Sequence, residues 1–428
     1  MKRQKFLAVA TVFPLTLFMV LGIYVSTVSA APVESVLYRF KGGTDGEISL
    51  ASLVEDQAHN LYGTTFAGGA SGLGTVFEIS RPETTWTETV LYSFAGGNDG
   101  SFPSSSLIFD KAGNLYGTTY AGGGSANCGG TPGGCGTVFQ LTPPATQGAP
   151  WTETVLYNFT GLADGANPAG GLLMDRDGNL YGTTYNGGGV VCGTGTCGTA
   201  FELTPPAVQG GAWTETVLHA FGKGNDGIHP AVGLTFGVHG GIFGTTQGGT
   251  STAGVVFKLK PPVSQGGAWT EGVIYRFTGG ADGGSPNGLI IDKTGNLYGT
   301  TSAGGQSYGL VFELSPTSGG AWTQSVLYTF TNGSDGAQSY ANLLFDKQGN
   351  LYGTTSAGGL NNNGSVFELT PPAVLGGPWT ETTVYDFKGG HDGQTPYSGL
   401  TFGYRGQLYG TTSLGGGPKA GTVFRIFH

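Results

Sequence analysis

The sequence contains little charge, no excess of basic residues and, after residue 30, no long apolar run. Only 11% of its 428 residues are charged, and 18 Lys and Arg stand against 27 Asp and Glu, which gives a formal net charge of −9. An acidic surface repels phosphate backbones, so nucleic-acid binding is not expected. The lack of a second apolar run excludes further membrane spans, and the lack of a sustained 3.6-residue period predicts almost no helix.

Motifs of common enzyme classes are missing as well. No Gly-x-Ser-x-Gly nucleophile elbow occurs, and the carboxylates are repeated, so no single pair is marked out for acid–base catalysis. We expect no catalytic residue, no metal and no other cofactor, apart from the Ca²⁺ alternative considered below. The histidines share no repeat position and lack the spacing of metal ligands; they are His59, His219, His229, His239, His391 and His428.

Glycine, by contrast, is abundant at 83 residues, and aromatic residues make up 12% of the chain. The aromatic and β-branched runs supply enough apolar surface to bury, which argues against disorder. The motif Leu-Tyr-Gly-Thr-Thr recurs with a period of roughly 54 to 65 residues, and such self-similarity is typical of repeat architectures. Its seven copies begin at Leu61, Leu115, Leu180, Ile242, Leu297, Leu351 and Leu408.

Each cycle of the repeat contains four short runs rich in Val, Leu, Phe, Tyr and Thr, separated by Gly, Asn, Asp and Pro. Runs of this length and composition predict strands, and the separating residues predict turns. In one cycle the strands, from the innermost outward, are Ser106–Asp110, Leu115–Thr119, Gly136–Leu141 and Thr152–Phe159. Four antiparallel strands repeated seven times predict an all-β fold, a seven-bladed β-propeller.

The last cycle, Ser398–Phe427, supplies only three strands. Its missing outer strand is present at the other end of the chain, at residues 33–40. We therefore expect the N-terminal strand to join the last blade, which closes the ring and removes exposed strand edges. Residues 31–428 would then form a single propeller domain of seven repeats.

Residues 1–30 resemble a secretory signal peptide. A basic start (Lys2, Arg3, Lys5) is followed by an apolar run over 6–25 and by small residues at 28–30. Removing three positive charges and no negative ones would move the formal net charge from −9 to −12. The alternative is an uncleaved membrane anchor, because the run is nearly long enough to span a bilayer. We expect cleavage and an extracytoplasmic location, in the periplasm or outside the cell, with membrane association only if the segment is retained.

The four cysteines lie in equivalent loops of neighbouring repeats, two in each loop. Nearby cysteines in an exported chain predict local disulfides, which would pair Cys128 with Cys135 and Cys192 with Cys197. The alternative is one four-cysteine zinc site. The spacings are wider than those of usual zinc-ligand pairs, and adjacent blades diverge, so disulfides are favoured.

A Gly-Gly-x-Asp-Gly loop joins the outer strand of each blade to the inner strand of the next. Its aspartates could bond local backbone N–H groups as purely structural turns. They could instead bind Ca²⁺, which needs six to eight oxygens, or form an acidic ring for a cationic partner or sugar hydroxyls. Strict repetition favours the structural interpretation, because a single active site would break the symmetry. The aspartates are Asp45, Asp99, Asp164, Asp226, Asp282, Asp335 and Asp392.

The tryptophans all occupy one repeat position, just before the outer strand. They could pack on proline at the blade rim, where burial of an aromatic side chain stabilises by roughly 1.5 to 3 kcal/mol. They could instead form a ring of sugar-stacking platforms. The structural interpretation is favoured. The residues are Trp86, Trp151, Trp213, Trp269, Trp322 and Trp379.

The string Asp-x-x-Gly-Asn-Leu-Tyr-Gly-Thr-Thr, followed by Gly-Thr-Val-Phe-Glu-Leu and Trp-Thr-Glu-Thr-Val-Leu-Tyr, resembles the GloVer-type (choice-of-anchor) bacterial tandem-repeat family. The resemblance covers nearly the whole chain after the N-terminal segment. It implies an exported protein, often with a C-terminal anchoring signal. This chain ends in a strand, Gly421–Phe427, so we expect release rather than surface anchoring. The family implies no activity, substrate or catalytic residue.

These features favour an exported, non-catalytic, monomeric propeller that binds a polysaccharide or a surface protein. A propeller enzyme acting on a carbohydrate or another small substrate and a structural envelope protein remain alternatives. An enzyme should contain one asymmetric funnel with carboxylates or His at unequal positions, and a binding module should contain equivalent shallow sites or one broad patch. The fourth cycle slightly favours asymmetry. In it Gly237–Gly241 replaces the Asp-x-x-Gly-Asn turn seen at Asp110–Asn114, and His229 enters the Asp-Gly loop.

Overall fold

A computed structural model describes residues 33–81, 85–129, 133–146, 148–192, 195–208, 210–238, 240–249, 252–264, 267–374 and 376–427. The predicted signal segment, 1–30, lies outside these residues. Within them no helix is long and apolar enough to cross a membrane, and the helical elements are two 3-10 turns, Gly43–Asp45 and Gly97–Asp99.

The described residues form seven antiparallel blades in a ring, so the predicted β-propeller is confirmed. The strands up to the third blade are β1 (Val33–Arg39), β2 (Val54–Glu55), β3 (Leu61–Thr65), β4 (Thr75–Ser80), β5 (Thr87–Ser93), β6 (Ile108–Phe109), β7 (Leu115–Thr119), β8 (Thr137–Thr142), β9 (Thr152–Asn158), β10 (Ala166–Pro168), β11 (Leu173–Met174), β12 (Leu180–Asn186), β13 (Val191–Cys192), β14 (Gly195–Thr196), β15 (Thr199–Thr204) and β16 (Thr214–Ala220).

The strands of the remaining blades are β17 (Thr235–Phe236), β18 (Ile242–Thr246), β19 (Val255–Lys260), β20 (Thr270–Arg276), β21 (Gly284–Ile291), β22 (Leu297–Ala303), β23 (Leu310–Pro316), β24 (Trp322–Thr329), β25 (Leu344–Phe345), β26 (Leu351–Thr355), β27 (Ser365–Thr370), β28 (Thr380–Asp386), β29 (Thr401–Phe402), β30 (Leu408–Thr412) and β31 (Thr422–Phe427). From the axis outward, blade 1 is β2-β3-β4-β5, and blade 3 is β10 and β11, then β12-β15-β16, with β13-β14 as a separate hairpin.

The ring closes as predicted. Strand β1 pairs antiparallel with β31, from Val33 opposite Phe427 to Arg39 opposite Thr422. Blade 7 is therefore β29-β30-β31-β1, with its outer strand supplied by the start of the propeller. The pairing covers the edge that β31 would otherwise expose.

The second strand of each blade is buried on both faces, because neighbouring blades pack against it from either side. Its central glycine leaves room for an aromatic ring. A Cβ on Gly63 would lie 2.6 Å from Cζ of Phe77 and 2.8 Å from Cδ2 of Leu53. Close packing around this glycine therefore explains its place in the Leu-Tyr-Gly-Thr-Thr motif.

An edge-to-face phenylalanine pair fills each joint between blades. Phe40, after the outer strand of blade 7, meets Phe77 of blade 1 with ring centroids 5.1 Å apart. Such pairs stabilise by about 0.5 to 1.5 kcal/mol beyond the burial of their area. The other joints contain Phe94–Phe139, Phe159–Phe201, Phe221–Phe257, Phe277–Phe312, Phe330–Phe367 and Phe387–Phe424.

The innermost strands are shorter than predicted: Ser106–Asp110 is observed as Ile108–Phe109. The preceding segment leaves the sheet after Phe102, whose backbone is left-handed at φ 60°. The Phe102 N–H donates to the Leu73 carbonyl of the previous blade at 2.8 Å, which holds this conformation in place. The same conformation recurs at Ile48, Asn167, His229, Ser285, Gln338 and Thr395.

Blade 5 differs from the others. Its inner strand, β21, is continuous over Gly284–Ile291. Two residues separate Pro286 from Leu289 here, whereas three separate Pro168 from Leu172 in blade 3. The shorter segment stays in the sheet, and this places Asn287 at the propeller axis.

Candidate functional site

Each Asp-Gly loop is held together by its own aspartate. Asp164 accepts hydrogen bonds from the Thr160 backbone N–H at 2.7 Å and from the Tyr157 hydroxyl at 3.1 Å. These internal bonds are those of a structural turn, and a binding role of the aspartates stays a prediction. The backbone bond recurs at Asp45, Asp99, Asp226, Asp282, Asp335 and Asp392.

One loop has a different donor. His219 takes the tyrosine position in blade 4, and its Nε2–H donates to Asp226 at 2.9 Å. Across the described ranges no three His, Cys, Asp or Glu side chains gather as metal ligands. Binding of Ca²⁺ by the Asp-Gly loops stays a hypothesis.

In every blade except blade 5, a glutamate on the outer strand faces the aspartate of an Asp-Gly loop. Burial, followed by the negative charge of Asp45, raises the pKa of Glu88 to about 8. In blade 5 the position is Gln324, whose Nε2–H donates to the Asp282 carbonyl at 2.9 Å. Sequence reasoning did not single out these glutamates. Those whose buried Oε1 lacks a hydrogen-bond partner in the described part of the chain are Glu34, Glu88, Glu153, Glu215 and Glu271.

The tryptophans lie at the start of the outer strands, whereas the Asp-Gly loops follow the end of those strands, and the tryptophan side chains are half-buried. Trp151 of blade 2 packs on Tyr62 of blade 1, with ring centroids 6.2 Å apart. Each tryptophan thus covers an aromatic side chain of the preceding blade. This accounts for their repetition by packing, and sugar stacking by them stays a prediction. The other contacts are Trp86–Tyr409, Trp269–Tyr181, Trp322–Phe243 and Trp379–Tyr298, and Trp213 shares an apolar cluster with Tyr116.

The cysteines form the two predicted disulfides rather than one zinc site. Cys128 pairs with Cys135, with Cα atoms 5.2 Å apart, and Cys192 pairs with Cys197 at 5.5 Å. The first lies over Gly161, where a Cβ would be 2.6 Å from both sulfur atoms. Each disulfide therefore closes a local loop beside an Asp-Gly loop.

A cavity of about 440 Å³, here called the funnel, lies where the inner segments of all the blades meet at the axis. Its wall is asymmetric. Non-aromatic side chains line it in blades 1 to 4, whereas Tyr340 and Tyr397 line it in blades 6 and 7, with ring centroids 5.3 Å apart. None of the described residues in its lining is Asp, Glu, His, Lys, Arg or Cys. One residue from each blade defines it: Leu50, Ser104, Ala169, Ala231, Asn287, Tyr340 and Tyr397.

Two polar atoms at the funnel lack hydrogen-bond partners among the described residues. They are Oδ1 of Asn287, a fully buried side chain, and Oγ of Ser104. The Asn287 Nδ2 donates to the Ser339 carbonyl at 2.7 Å, which fixes the amide and leaves its oxygen unused. A buried acceptor without a partner costs about 1 to 3 kcal/mol, so a hydroxyl donor at this place would be favoured.

Comparison with protein families decides what kind of chain this is. A model of the Gloeobacter/Verrucomicrobia repeat matches residues 22–206, 124–306 and 263–427. The chain belongs to this repeat family. The resemblance found in the sequence is thereby confirmed. A comparison with curated proteins gives no match.

Solved structures similar to this repeat protein are distant in sequence. The extracellular domain of a proposed one-component system from B. thetaiotaomicron is 12% identical, with a TM-score of 0.54 over 94% of this chain and 42% of that one. A proposed oxidoreductase (glucose dehydrogenase) from Thermus thermophilus is 17% identical, with a TM-score of 0.43 over 75% and 95% of the two chains. The first likeness supports the propeller fold, and the second carries no argument.

The repeat itself explains why sequence reasoning missed the funnel. Repetition directs attention to positions that all cycles share, and those prove to hold blades together. The funnel residues occupy a position that changes from cycle to cycle, from Leu50 to Ala169 to Tyr397. Two signals in the sequence could have found it: the shortened segment at Asn287 and the tyrosines that replace small residues at Tyr340 and Tyr397.

Proposed function

We propose that this repeat protein is an exported, non-catalytic, monomeric propeller that binds an uncharged segment of a polysaccharide in the funnel. The single observation that carries this proposal is the asymmetric, uncharged funnel wall, with an aromatic pair and an unused buried amide oxygen. Its volume of about 440 Å³ falls within the range of small-molecule sites.

Binding is favoured over catalysis because the described funnel lining contains no carboxylate, imidazole, amine or thiol. An enzyme that hydrolyses glycosides needs a pair of carboxyl groups at the bond it cleaves. Burial, followed by the neighbouring Tyr397, raises the pKa of Tyr340, so its hydroxyl stays a hydrogen-bond donor at neutral pH.

A saccharide matches the wall chemically. Its ring has apolar C–H faces that can stack on the exposed ring of Tyr397, which is 38% accessible. Its hydroxyls can donate to Oδ1 of Asn287 and exchange hydrogen bonds with Ser104.

Export is proposed from the N-terminal pattern together with the disulfides, which persist in oxidising compartments. The predicted location is outside the cytoplasm, and secretion into the periplasm or the medium is testable by fractionation of cells that produce the full chain. Retention of the oxidised protein in the cytoplasm would contradict the proposal.

A glycan array with the full, oxidised chain tests the binding. We expect neutral oligosaccharides to bind, and Tyr397→Ala to weaken binding by about tenfold, because one aromatic contact of about 1 to 1.5 kcal/mol is lost. Leu360→Ala is the control, since Leu360 is an exposed apolar side chain that does not line the funnel. Equal loss in both variants, or no loss at Tyr397, would contradict a funnel site.

A further inference from the structure

Blade 7 and blade 4 both depart from the repeat at two positions, and in blade 7 the departures lie where it meets blade 1. The inner turn of a blade is the turn between its first and second strands. Five of the seven cycles carry Asp at its start, but blade 7 has Gly403. The third strand carries Glu or Gln at one position in those same cycles, but blade 7 has Arg425. The first difference removes a negative charge and the second adds a positive one, so both make the site less acidic.

Blade 1 departs from the repeat at the same joint. Arg81 stands where blade 2 has Pro143, and His59 stands where blade 2 has Gly113. His59 has a left-handed backbone at φ 68°, which glycine adopts without strain and histidine does not. The imidazole stacks on the ring of Tyr404 in blade 7, with ring centroids 3.9 Å apart, so the strained residue joins the two blades.

His59, Arg81 and Arg425 line one cleft of about 270 Å³, here called the basic cleft. Three guanidinium groups and an imidazole meet there in a protein whose acidic residues outnumber its basic ones. No Asp or Glu occurs among the described residues of its lining. Two carboxylates outside the lining contact it: Glu55 at 3.2 Å from His59 Nδ1, and Asp56, which accepts from Asn60 Nδ2 at 3.0 Å. The charged and aromatic walls are His59, Arg81, Trp86, Arg405, Arg425 and Phe427.

Aromatic rings hold two of the guanidinium groups. Arg405 lies over the ring of Tyr404 at 5.0 Å, and Arg425 lies over the ring of Phe427 at 4.4 Å. Stacking uses the face of a guanidinium and leaves the N–H donors at its edge available. Arg425 Nη2 donates to Ser35 Oγ at 3.4 Å, whereas its buried Nε has no partner within the described ranges.

The basic cleft continues past Tyr404 into a second cavity of about 730 Å³. Its walls include Phe345 and Phe402, and Tyr404 and Phe427 lie between the two cavities with 57% and 44% of their surfaces exposed. Oriented cationic donors beside exposed aromatic rings suit an anionic group carried on a ring that can stack.

We propose that the basic cleft binds the carboxylate or sulfate group of an acidic saccharide, with a neighbouring sugar ring against Phe427. Arg405 and Arg425 donate to the oxyanion. The site is separate from the funnel, because the two cavities share no lining residue in the described part of the chain. The proposal for the basic cleft therefore does not depend on saccharide binding in the funnel, and each can be tested without the other.

Two substitutions that restore residues of the repeat itself test the proposal. Arg425→Glu restores the residue found in blades 1, 3, 5 and 6, and Arg405→Ala restores that of blades 1 and 2, so both variants should fold. Isothermal titration of the full chain would use an oligogalacturonate, a sulfated oligosaccharide and a neutral oligosaccharide of equal length. We expect the wild type to prefer at least one acidic ligand by about tenfold or more, with affinity falling as salt rises.

Each variant should lose about tenfold of that affinity, whereas Arg176→Ala, on the equivalent turn of blade 3, should lose none. Tyr397→Ala in the funnel should also leave it unchanged. Comparison of the affinities for the oligogalacturonate and for the sulfated oligosaccharide shows whether the cleft prefers a carboxylate or a sulfate. Equal binding of neutral and acidic ligands, absence of binding to both acidic ones, or unchanged affinity in both arginine variants with intact circular dichroism would overturn the proposal.

Discussion

At the scale of the residue, the chain separates into positions that the repeat holds constant and positions where one cycle departs. Gly63 and its counterparts are constant because the second strand is packed on both faces. Asn287, Tyr397 and Arg425 depart, and each of them lines a cavity. Constant residues therefore explain the fold, whereas the departing residues locate the candidate sites.

Substitution of a second-strand glycine should be destabilising. In Gly63→Ala the new methyl group would overlap Phe77 and Leu53, and such overpacking typically costs about 1 to 3 kcal/mol. The denaturant midpoint measured by circular dichroism should fall accordingly. Gly272→Ala, on an outer strand with open space around it, is the control and should be neutral or slightly stabilising. A Gly63→Ala protein as stable as its control would refute the packing argument.

At the scale of the element, the contact between an outer strand and an Asp-Gly loop should be stable only while the glutamate of the strand is protonated. Glu88 faces Asp45, and its Oε1 is buried without a partner in the described chain. Burial and the charge of Asp45 raise the pKa of Glu88, whereas the positive charge of Lys41 lowers it. A protonated glutamate can donate a hydrogen bond here as Gln324 does in blade 5, but a charged one repels the aspartate.

Stability should therefore decrease as pH rises. The pKa of Glu88 rises from 4.5 to about 8 on folding, and those of Glu34, Glu153, Glu215 and Glu381 rise to about 7, in each case chiefly because of burial. A group with a raised pKa stabilises the fold fully below about pH 4.5, and this stabilisation is lost as pH passes through 7 to 8. Thermal unfolding should give a lower Tm at pH 8 than at pH 5.

A single substitution tests the source of this pH dependence. Glu88→Gln copies the arrangement of blade 5 and should raise Tm at pH 8 by about 1 to 3 °C while changing it less at pH 5. Glu47→Gln, directly after the loop, is the control for removal of one negative charge near Asp45 without a change in the outer strand. Wild-type stability that increases between pH 5 and pH 8 would rule out this account of the joint.

At the scale of the whole molecule, the sequence was sufficient to predict the seven blades, the closing strand and both disulfides. Those features are repeated or locally spaced, so the period and the cysteine pairs reveal them. The short inner strands were not foreseen, because their left-handed residues, such as Phe102, are held by contacts with the preceding blade. The funnel and the basic cleft were not predicted for a related reason: Asn287 lies near Tyr340 and Tyr397 only at the propeller axis, and Arg425 lies near His59 and Arg81 of blade 1 only when the ring closes.

The most direct test of the central claim is a crystal structure of the full, oxidised protein grown with a neutral oligosaccharide selected on the glycan array. The account predicts a sugar ring in the funnel, stacked on Tyr397, with a hydroxyl donating to Oδ1 of Asn287. An empty funnel with the saccharide bound instead at the tryptophans or the Asp-Gly loops would contradict it.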